Sequence, residues 1–101
     1  MTIPTPENPV AEPVEKTFHA PRYKVFIHND NKTPMDFVVF ILATIFSRKG
    51  SAAEKIMMEA HNTGVAFVAA YALEQAEFRV EQAHSKARGA KFPLTFTYEQ
   101  E

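Results

Sequence analysis

The polar run His28-Asn29-Asp30-Asn31 contains the residue types in this sequence that are best suited to chemistry. It places an imidazole, two amides and a carboxylate between a predicted strand and a predicted helix, where a rigid scaffold often fixes ligand-contacting residues. Asn and Asp are also ordinary turn residues, so the pattern leaves both a ligand site and a plain turn open. His61, near the end of a later predicted helix, has the same two interpretations, since a histidine there also interacts favourably with the helix dipole.

The residues that an enzyme would need besides these are not found in the sequence. Asp30 and His61 are able to form an acid–base pair, but the sequence contains no G-x-S-x-G motif and no cysteine to supply a nucleophile. A metal site of His28, Asp30 and His61 would combine two nearby loop residues with one distant histidine, which is not a recognised ligand spacing. We therefore expect a protein that is not an enzyme and needs no metal or other cofactor. The other two histidines, His19 and His84, are expected to be solvated.

Hydrophobic periodicity predicts six elements that position these residues. Alternating residues predict strands over 23–28, 65–71 and 94–98, and apolar residues at three- and four-residue steps predict helices over 34–46, 51–63 and 72–88. The order is β-α-α-β-α-β with short connections. It predicts an α+β fold in which a three-stranded antiparallel sheet packs against three helices.

Residues at the predicted helix ends indicate how each helix begins and stops. Thr33 is expected to cap the first helix with Pro34 at its first position, and Ser51 with Glu54 is expected to form a capping box for the second. Gly64 suits the position just beyond the second helix. The first helix is apolar around much of its circumference, which predicts that it is well buried. The third helix is expected to bury one stripe of residues, namely Leu73, Ala76, Val80, Ala83 and Ala87.

Length and composition limit the classes of protein to consider. The chain has 101 residues, which is enough for one compact domain. Its net charge of −1 shows no basic excess, which argues against a nucleic-acid partner. The sequence has no cysteine, which excludes a disulfide framework and is typical of a reducing compartment.

The beginning of the chain differs in composition from the rest. Five of the seven prolines lie in the first 21 residues, where they interrupt helices and lack a donor for strands. Little apolar burial is available there to offset the entropy of ordering. We therefore expect a flexible extension over residues 1–21 and a folded core domain over residues 22–101. No secretory signal or stretch of ~20 apolar residues is found, so we expect a cytoplasmic protein without membrane contact.

Several motifs in the predicted core resemble the ClpS family of protease adaptors. The resemblance extends from about Arg22 to Glu99, and the family's fold has the same β-α-α-β-α-β order. The motifs are Asn29-Asp30-x-x-Thr33-Pro34-Met35-Asp36-Phe37-Val38, then Met57-x-x-x-His61-x-x-Gly64-x-Ala66, then Pro93-Leu94.

The resemblance implies an adaptor for N-end-rule substrates, which are proteins that begin with Leu, Phe, Tyr or Trp. Asn29, Asp30 and His61 match the family positions that surround the free α-amino group of the substrate. The family also has an apolar pocket for the first side chain, in which the residue matched by Met35 disfavours Val and Ile. The matching pocket residues here are Thr33, Met35, Val38, Met57 and Leu94, with Ile41 a weaker candidate.

The resemblance further implies delivery of the substrate to the N-terminal domain of a ClpA- or ClpC-type AAA+ unfoldase. Glu74 and Arg79 match charged positions that contact the unfoldase, although charge spacing alone indicates a solvated helix face. Asn31 stands where many members carry a second acid, which lowers the negative field near the amine and leaves the ranking of accepted first residues open. The alternative is a structural or ribosome-associated interaction module, because the C-terminal domain of the ribosomal stalk protein has a similar small α/β layout.

Overall fold

Three strands and three helices make up the described part of the chain, which is residues 20–101 of a computed structural model. The elements are β1 (Arg22–His28), α1 (Met35–Thr44), α2 (Ser51–Thr63), β2 (Val65–Ala72), α3 (Leu73–Gly89) and β3 (Thr95–Gln100). This confirms the predicted β-α-α-β-α-β order. Nearly all of the predicted flexible extension, and His19 with it, lies outside the described residues. No helix within residues 20–101 is long and apolar enough to cross a membrane.

β1 is the central strand of an antiparallel sheet with the order β2-β1-β3. Its last residue, His28, pairs with Val65 at the start of β2 and with Thr95 at the start of β3. The end of β1 and the starts of both outer strands therefore meet at one edge of the sheet. Because Gly64 alone separates α2 from β2, the end of α2 also lies at this edge.

The helices cover one face of the sheet. Val25 and Ile27 on that face of β1 are 0% and 2% exposed, and α3 packs against all three strands. Phe26 lies on the opposite face, where its ring contacts Phe67 edge to face with 6.1 Å between centroids. The predicted arrangement of one helical layer on one antiparallel sheet is thus confirmed.

β2 contains a β-bulge that its alternating sequence did not predict. Val25 pairs with Ala69 and the next residue of β1 pairs with Phe67, so Val68 is an extra residue opposite β1. Val68 and Ala69 are consequently both buried, at 2% and 4% exposed, which strict alternation does not allow. The carbonyl of Val68 accepts a hydrogen bond from Nε of Arg48 at 2.9 Å, which gives this group a partner at the bulge.

The starts of α1 and α2 differ from the predicted caps. Pro34 rather than Thr33 is the N-cap residue of α1, because the Thr33 hydroxyl is bound within the preceding loop. Gly50 with a φ of 57° is the N-cap of α2, and Ser51 is already helical, so the predicted capping box does not form. The prediction for Gly64 is confirmed. It ends α2 with a φ of 94°, in the left-handed region that glycine adopts without a steric penalty.

The core is built around the rings of Phe46 and Phe96, which stack with 4.9 Å between their centroids. Leu73 was wrongly placed in the core, since this first residue of α3 is 38% exposed. α1 is also less buried than predicted, because Met35 and Phe40 are 52% and 48% exposed. The other predicted stripe residues of α3 are all buried, namely Ala76, Val80, Ala83 and Ala87.

His84 on α3 joins this helix to β3, so the expectation that it is solvated was wrong. Its Nε2 accepts a hydrogen bond from the backbone N–H of Phe96 at 2.9 Å, which satisfies an amide of an edge strand. Burial lowers the pKa of His84 below the ordinary value of 6.5, and the nearby Arg88 charge lowers the pKa further. The fold therefore selects the neutral imidazole.

This selection predicts stability that depends on pH. The unfolded chain binds a proton at this imidazole more readily than the folded chain. The contribution of neutral His84 to the free energy of unfolding is therefore complete above a pH of about 6.5 and is lost as the pH falls below it. In His84→Gln, the amide oxygen can accept from Phe96 without titrating. Between about pH 7.5 and 5.5 the Tm of this variant is therefore expected to fall by less than the Tm of the unmodified chain. Thermal unfolding followed by circular dichroism measures this, with His61→Gln as the control for an exposed imidazole. The same pH slope in all three proteins would contradict the prediction.

Candidate functional site

A cavity of about 200 Å³ lies at the edge of the sheet where β1 ends. Its walls come from the loop after β1, the first turns of α1, the last turns of α2 and the segment before β3. Apart from the weaker candidate Ile41, all eight residues that were matched to substrate contacts are among those that line it. The lining residues are Ile27, His28, Asn29, Asp30, Asn31, Thr33, Met35, Val38, Met57, Ala60, His61 and Leu94.

Asn29 and His61 reach the same rim because the loop after β1 is bound to the end of α2. The backbone N–H of Asn29 donates to the carbonyl of Gly64 at 3.0 Å, and the neighbouring His28 pairs with Val65. The turn at Gly64 thus holds the last turn of α2 beside the loop. Among residues 20–101, no hydrogen bond engages the side chains of Asn29 and His61, so both are available to a ligand in the cavity that they line.

Asp30 organises the loop between β1 and α1. Its Oδ1 accepts hydrogen bonds from the backbone N–H groups of Lys32 at 2.8 Å and Thr33 at 2.7 Å. Its Oδ2 accepts a third from the Thr33 hydroxyl at 2.8 Å. This is the turn chemistry that the sequence left open as an alternative to a ligand site. The two are compatible here, because the turn holds the carboxylate at the rim of the cavity.

The same hydrogen bonds favour the charged form of Asp30. Burial raises its pKa, but the backbone amides of Thr33 and Lys32, the Thr33 hydroxyl and the nearby Arg88 charge together bring the pKa below its ordinary value of 3.8. Three of about four acceptor sites on the carboxylate are used, so Oδ2 can still accept from a ligand. No three His, Cys, Asp or Glu side chains within residues 20–101 are grouped to hold a metal ion. The rim therefore offers one negative charge and several hydrogen-bond acceptors.

The interior of the cavity is apolar. Leu94 and Val38 are 1% and 8% exposed, whereas Met35 is 52% exposed and stands at the mouth. Met57 on α2 is half-buried and forms part of the facing wall. An apolar cavity of ~150 Å³ is enough to accept benzene, so a cavity of about 200 Å³ has room for one large side chain. A flexible thioether at the mouth is able to adapt to what enters.

Four of the lining residues were not among the predicted substrate contacts, namely Ile27, His28, Asn31 and Ala60, although His28 and Asn31 belong to the polar run that the sequence analysis singled out. Ile27 and Ala60 did have a signal, since they occupy inward positions of β1 and α2, but periodicity does not separate a cavity wall from packed core. His28 is held against β3 by a contact of 2.7 Å between its Nε2 and Oγ1 of Thr97. Ile41, the weaker candidate, is 0% exposed and does not line the cavity.

The two positions matched to unfoldase contacts lie in different environments. Glu74 is exposed in the first turn of α3. Arg79 is half-buried: its Nη1 donates to the carbonyl of Ile45, and its guanidinium carbon lies 4.7 Å from the centre of the Tyr71 ring. Arg79 is therefore not part of the solvated helix face that charge spacing indicated. Its internal contacts bind α3 to the segment that follows α1.

Comparison with known sequences identifies relatives of this chain. Residues 18–97 match the family described as "ATP-dependent Clp protease adaptor protein ClpS". A protein named ATP-dependent Clp protease adapter protein ClpS from Desulfatibacillum aliphaticivorans is 39% identical over 91% of this chain and 88% of its own length. A protein of the same name from Gloeobacter violaceus is 49% identical over 78% of this chain and 80% of its own length.

A solved structure has the same fold. The structure of Agrobacterium tumefaciens ClpS2 bound to L-phenylalaninamide is similar to this chain with a TM-score of 0.78 and 35% sequence identity. The similarity covers 82% of this chain and 100% of that chain. The family match, the relatives and the shared fold together show that this chain belongs to the ClpS family of ATP-dependent Clp protease adaptor proteins.

Proposed function

We propose that this chain is a non-enzymatic adaptor that binds the free α-amino group and the bulky hydrophobic first side chain of N-end-rule substrates. It delivers them to a ClpA- or ClpC-type AAA+ unfoldase for degradation. The main support is a single cavity in which a polar rim, formed by Asn29, Asp30 and His61, adjoins an apolar interior. These are the two environments that a charged chain start and its hydrophobic side chain require.

The polar rim is suited to an ammonium group. An α-ammonium has three donors and no acceptor, so its receptor has to supply acceptors. Asp30 supplies a carboxylate that its loop keeps ionised, Asn29 supplies an amide oxygen, and a ring nitrogen of His61 supplies a lone pair. Charge-assisted hydrogen bonds of this kind contribute roughly 1.5–3 kcal/mol each. A blocked amine or an internal amide lacks the charge, so the rim distinguishes a chain start from the middle of a chain.

The apolar interior is suited to the first side chain. Val38, Met57 and Leu94 provide its walls beside Thr33, and Met35 stands at its mouth. Burying a Leu or Phe side chain contributes roughly 1.5–3 kcal/mol. Together with the amine contacts, this leads us to expect a Kd in the micromolar range, about 1–10 μM. The ligand of the related ClpS2 structure, L-phenylalaninamide, combines a free amine with a benzyl side chain. The same combination would occupy both parts of this cavity.

Delivery is proposed to use the surface of α3 around Glu74 and Arg79. Glu74 is exposed and can contact the unfoldase directly. Arg79 presents only the part of its side chain that Tyr71 and Ile45 leave accessible. The surface lies on a different element from the cavity walls, so substrate and unfoldase are able to bind together.

Peptides that differ only in their first residue test this function. Those starting with Leu, Phe, Tyr or Trp are expected to bind with a Kd of about 1–10 μM, and those starting with Val or Ala at least about tenfold more weakly. Fluorescence anisotropy with a label at the far end of each peptide measures the affinities. Affinity that does not depend on the first residue would rule out the proposed pocket.

The Val peptide provides a matched test of the cavity mouth. If Met35 excludes β-branched side chains, Met35→Ala should strengthen binding of the Val peptide by about fivefold to tenfold. Met58→Ala is the control, because Met58 is 44% exposed on α2 and does not line the cavity. An equal gain from both variants, or none from Met35→Ala, would show that Met35 does not set this preference.

A further inference from the structure

A second recess, open to solvent and about 400 Å³ in volume, is lined by Lys32, Arg88, Lys91, Phe92 and Pro93. We refer to it as the basic recess, because three of its five residues are cationic and none is acidic. We propose that the basic recess binds acidic side chains close behind the first residue of a substrate, so that this adaptor selects N-termini followed by acidic residues. The inference rests on the proposed function and adds a second element of specificity to it.

Two hydrogen bonds place the basic recess beside the cavity. The backbone N–H of Lys32 donates to Oδ1 of Asp30 at 2.8 Å, so Lys32 belongs to the loop that holds the carboxylate at the rim. Nη1 of Arg88 donates to the carbonyl of Leu94 at 2.8 Å, and Leu94 is part of the cavity wall. The Arg88 charge also acts at the rim, since it helps to lower the pKa of Asp30. A substrate held in the cavity therefore lies within the field of the recess.

The charge in this region is opposite in sign to that of the chain. Residues 28–36 and 85–98, which include the loop and the recess, contain four cationic side chains and two carboxylates, Asp30 and Asp36, while the whole chain has a net charge of −1. Asn31, next to Asp30, adds no second negative charge. Once a substrate ammonium has neutralised Asp30, the remaining field is positive. Its sources are four cationic side chains, Lys32, Lys86, Arg88 and Lys91.

The positive charges are close enough to act on the residues that follow the first residue of a substrate. An extended chain advances about 3.3 Å per residue, so the second to fourth residues of a substrate lie within about 10 Å of the cavity mouth in whichever direction the chain leaves. This distance is about one Debye length at 0.1 M salt. Acidic side chains at these positions are attracted and basic ones repelled, and the difference should shrink as salt is added.

Peptides that begin with Phe and carry two Ala, two Glu or two Lys residues at positions three and four test the inference. At about 50 mM salt the Glu peptide is expected to bind about tenfold more tightly than the Lys peptide, and at about 300 mM only about twofold. Lys32→Gln combined with Lys91→Asn should reduce the low-salt ratio to about threefold. Asparagine is chosen at Lys91 because φ there is 66°, which asparagine tolerates. The control, Lys24→Gln combined with Lys49→Gln, removes two charges near the start of β1 and beyond the end of α1, and should leave the ratio unchanged.

The outcomes separate the inference from the function on which it rests. Equal affinities of the Glu and Lys peptides at low salt, with the Ala peptide still bound, would overturn the inference and leave the proposed function intact. A low-salt ratio that the Lys32/Lys91 variant does not change would also overturn it, because the selectivity would then arise elsewhere. If the Ala peptide with its free amine does not bind at all, the proposed function itself is wrong.

Discussion

Acetylation of the first residue of a Phe-initiated peptide is expected to weaken its binding to this chain by about a hundredfold or more. Acetylation removes the positive charge and two of the donors of the ammonium. Loss of two charge-assisted hydrogen bonds at roughly 1.5 kcal/mol each amounts to about two decades of affinity. Isothermal titration with the free and the acetylated peptide measures the difference directly.

A second peptide distinguishes the contribution of the amine to binding from that of the side chain. Adding Gly before Phe keeps a free ammonium but moves the aromatic ring to the second position, where the cavity cannot bind both groups at once. This peptide is expected to bind about as weakly as the acetylated one, since glycine leaves the apolar interior empty. Equal binding of the free and acetylated peptides would show that Asn29, Asp30 and His61 do not recognise the amine.

Replacement of Asp30 by Asn is expected to weaken binding of a Phe-initiated peptide by about tenfold to a hundredfold. The variant removes the charge but keeps an amide oxygen able to accept from the backbone N–H groups of Lys32 and Thr33, as Oδ1 does now. The Tm should therefore change little. Asp36→Asn is the matched control, because Asp36 is exposed on α1 and does not line the cavity.

Replacement of Asp30 by Ala is expected to lower both affinity and stability. Alanine removes the acceptors for Lys32 and Thr33 as well as the charge, and loss of about 1 kcal/mol lowers the Tm of a domain this size by about 4–8 °C. Comparing the Tm values and the binding affinities of the Asn and Ala variants therefore distinguishes the role of Asp30 in the turn from its role in ligand binding. Full binding by Asp30→Asn would mean that Asp30 serves the turn alone.

Periodicity predicted the elements correctly because it records which residues of a single helix or strand face inward. It failed where neighbouring elements decide the local geometry. The bulge at Val68 depends on pairing with β1. Thr33 is not the N-cap of α1 because Asp30 binds its hydroxyl. His84 is not solvated because β3 presents the amide of Phe96 to it, and no pattern within α3 contains that information.

The sequence by itself determined the order of the elements, the family and the residue types that the proposed chain-start pocket needs. Only the tertiary structure decided that these residues border one cavity, because strand pairing and the turn at Gly64 bring His61 beside Asn29. It also decided that Arg79 is engaged within the protein and that Lys32 and Arg88 line a common recess. The physical reason is that side chains act across space over a few ångströms, whereas a sequence motif records only their spacing along the chain.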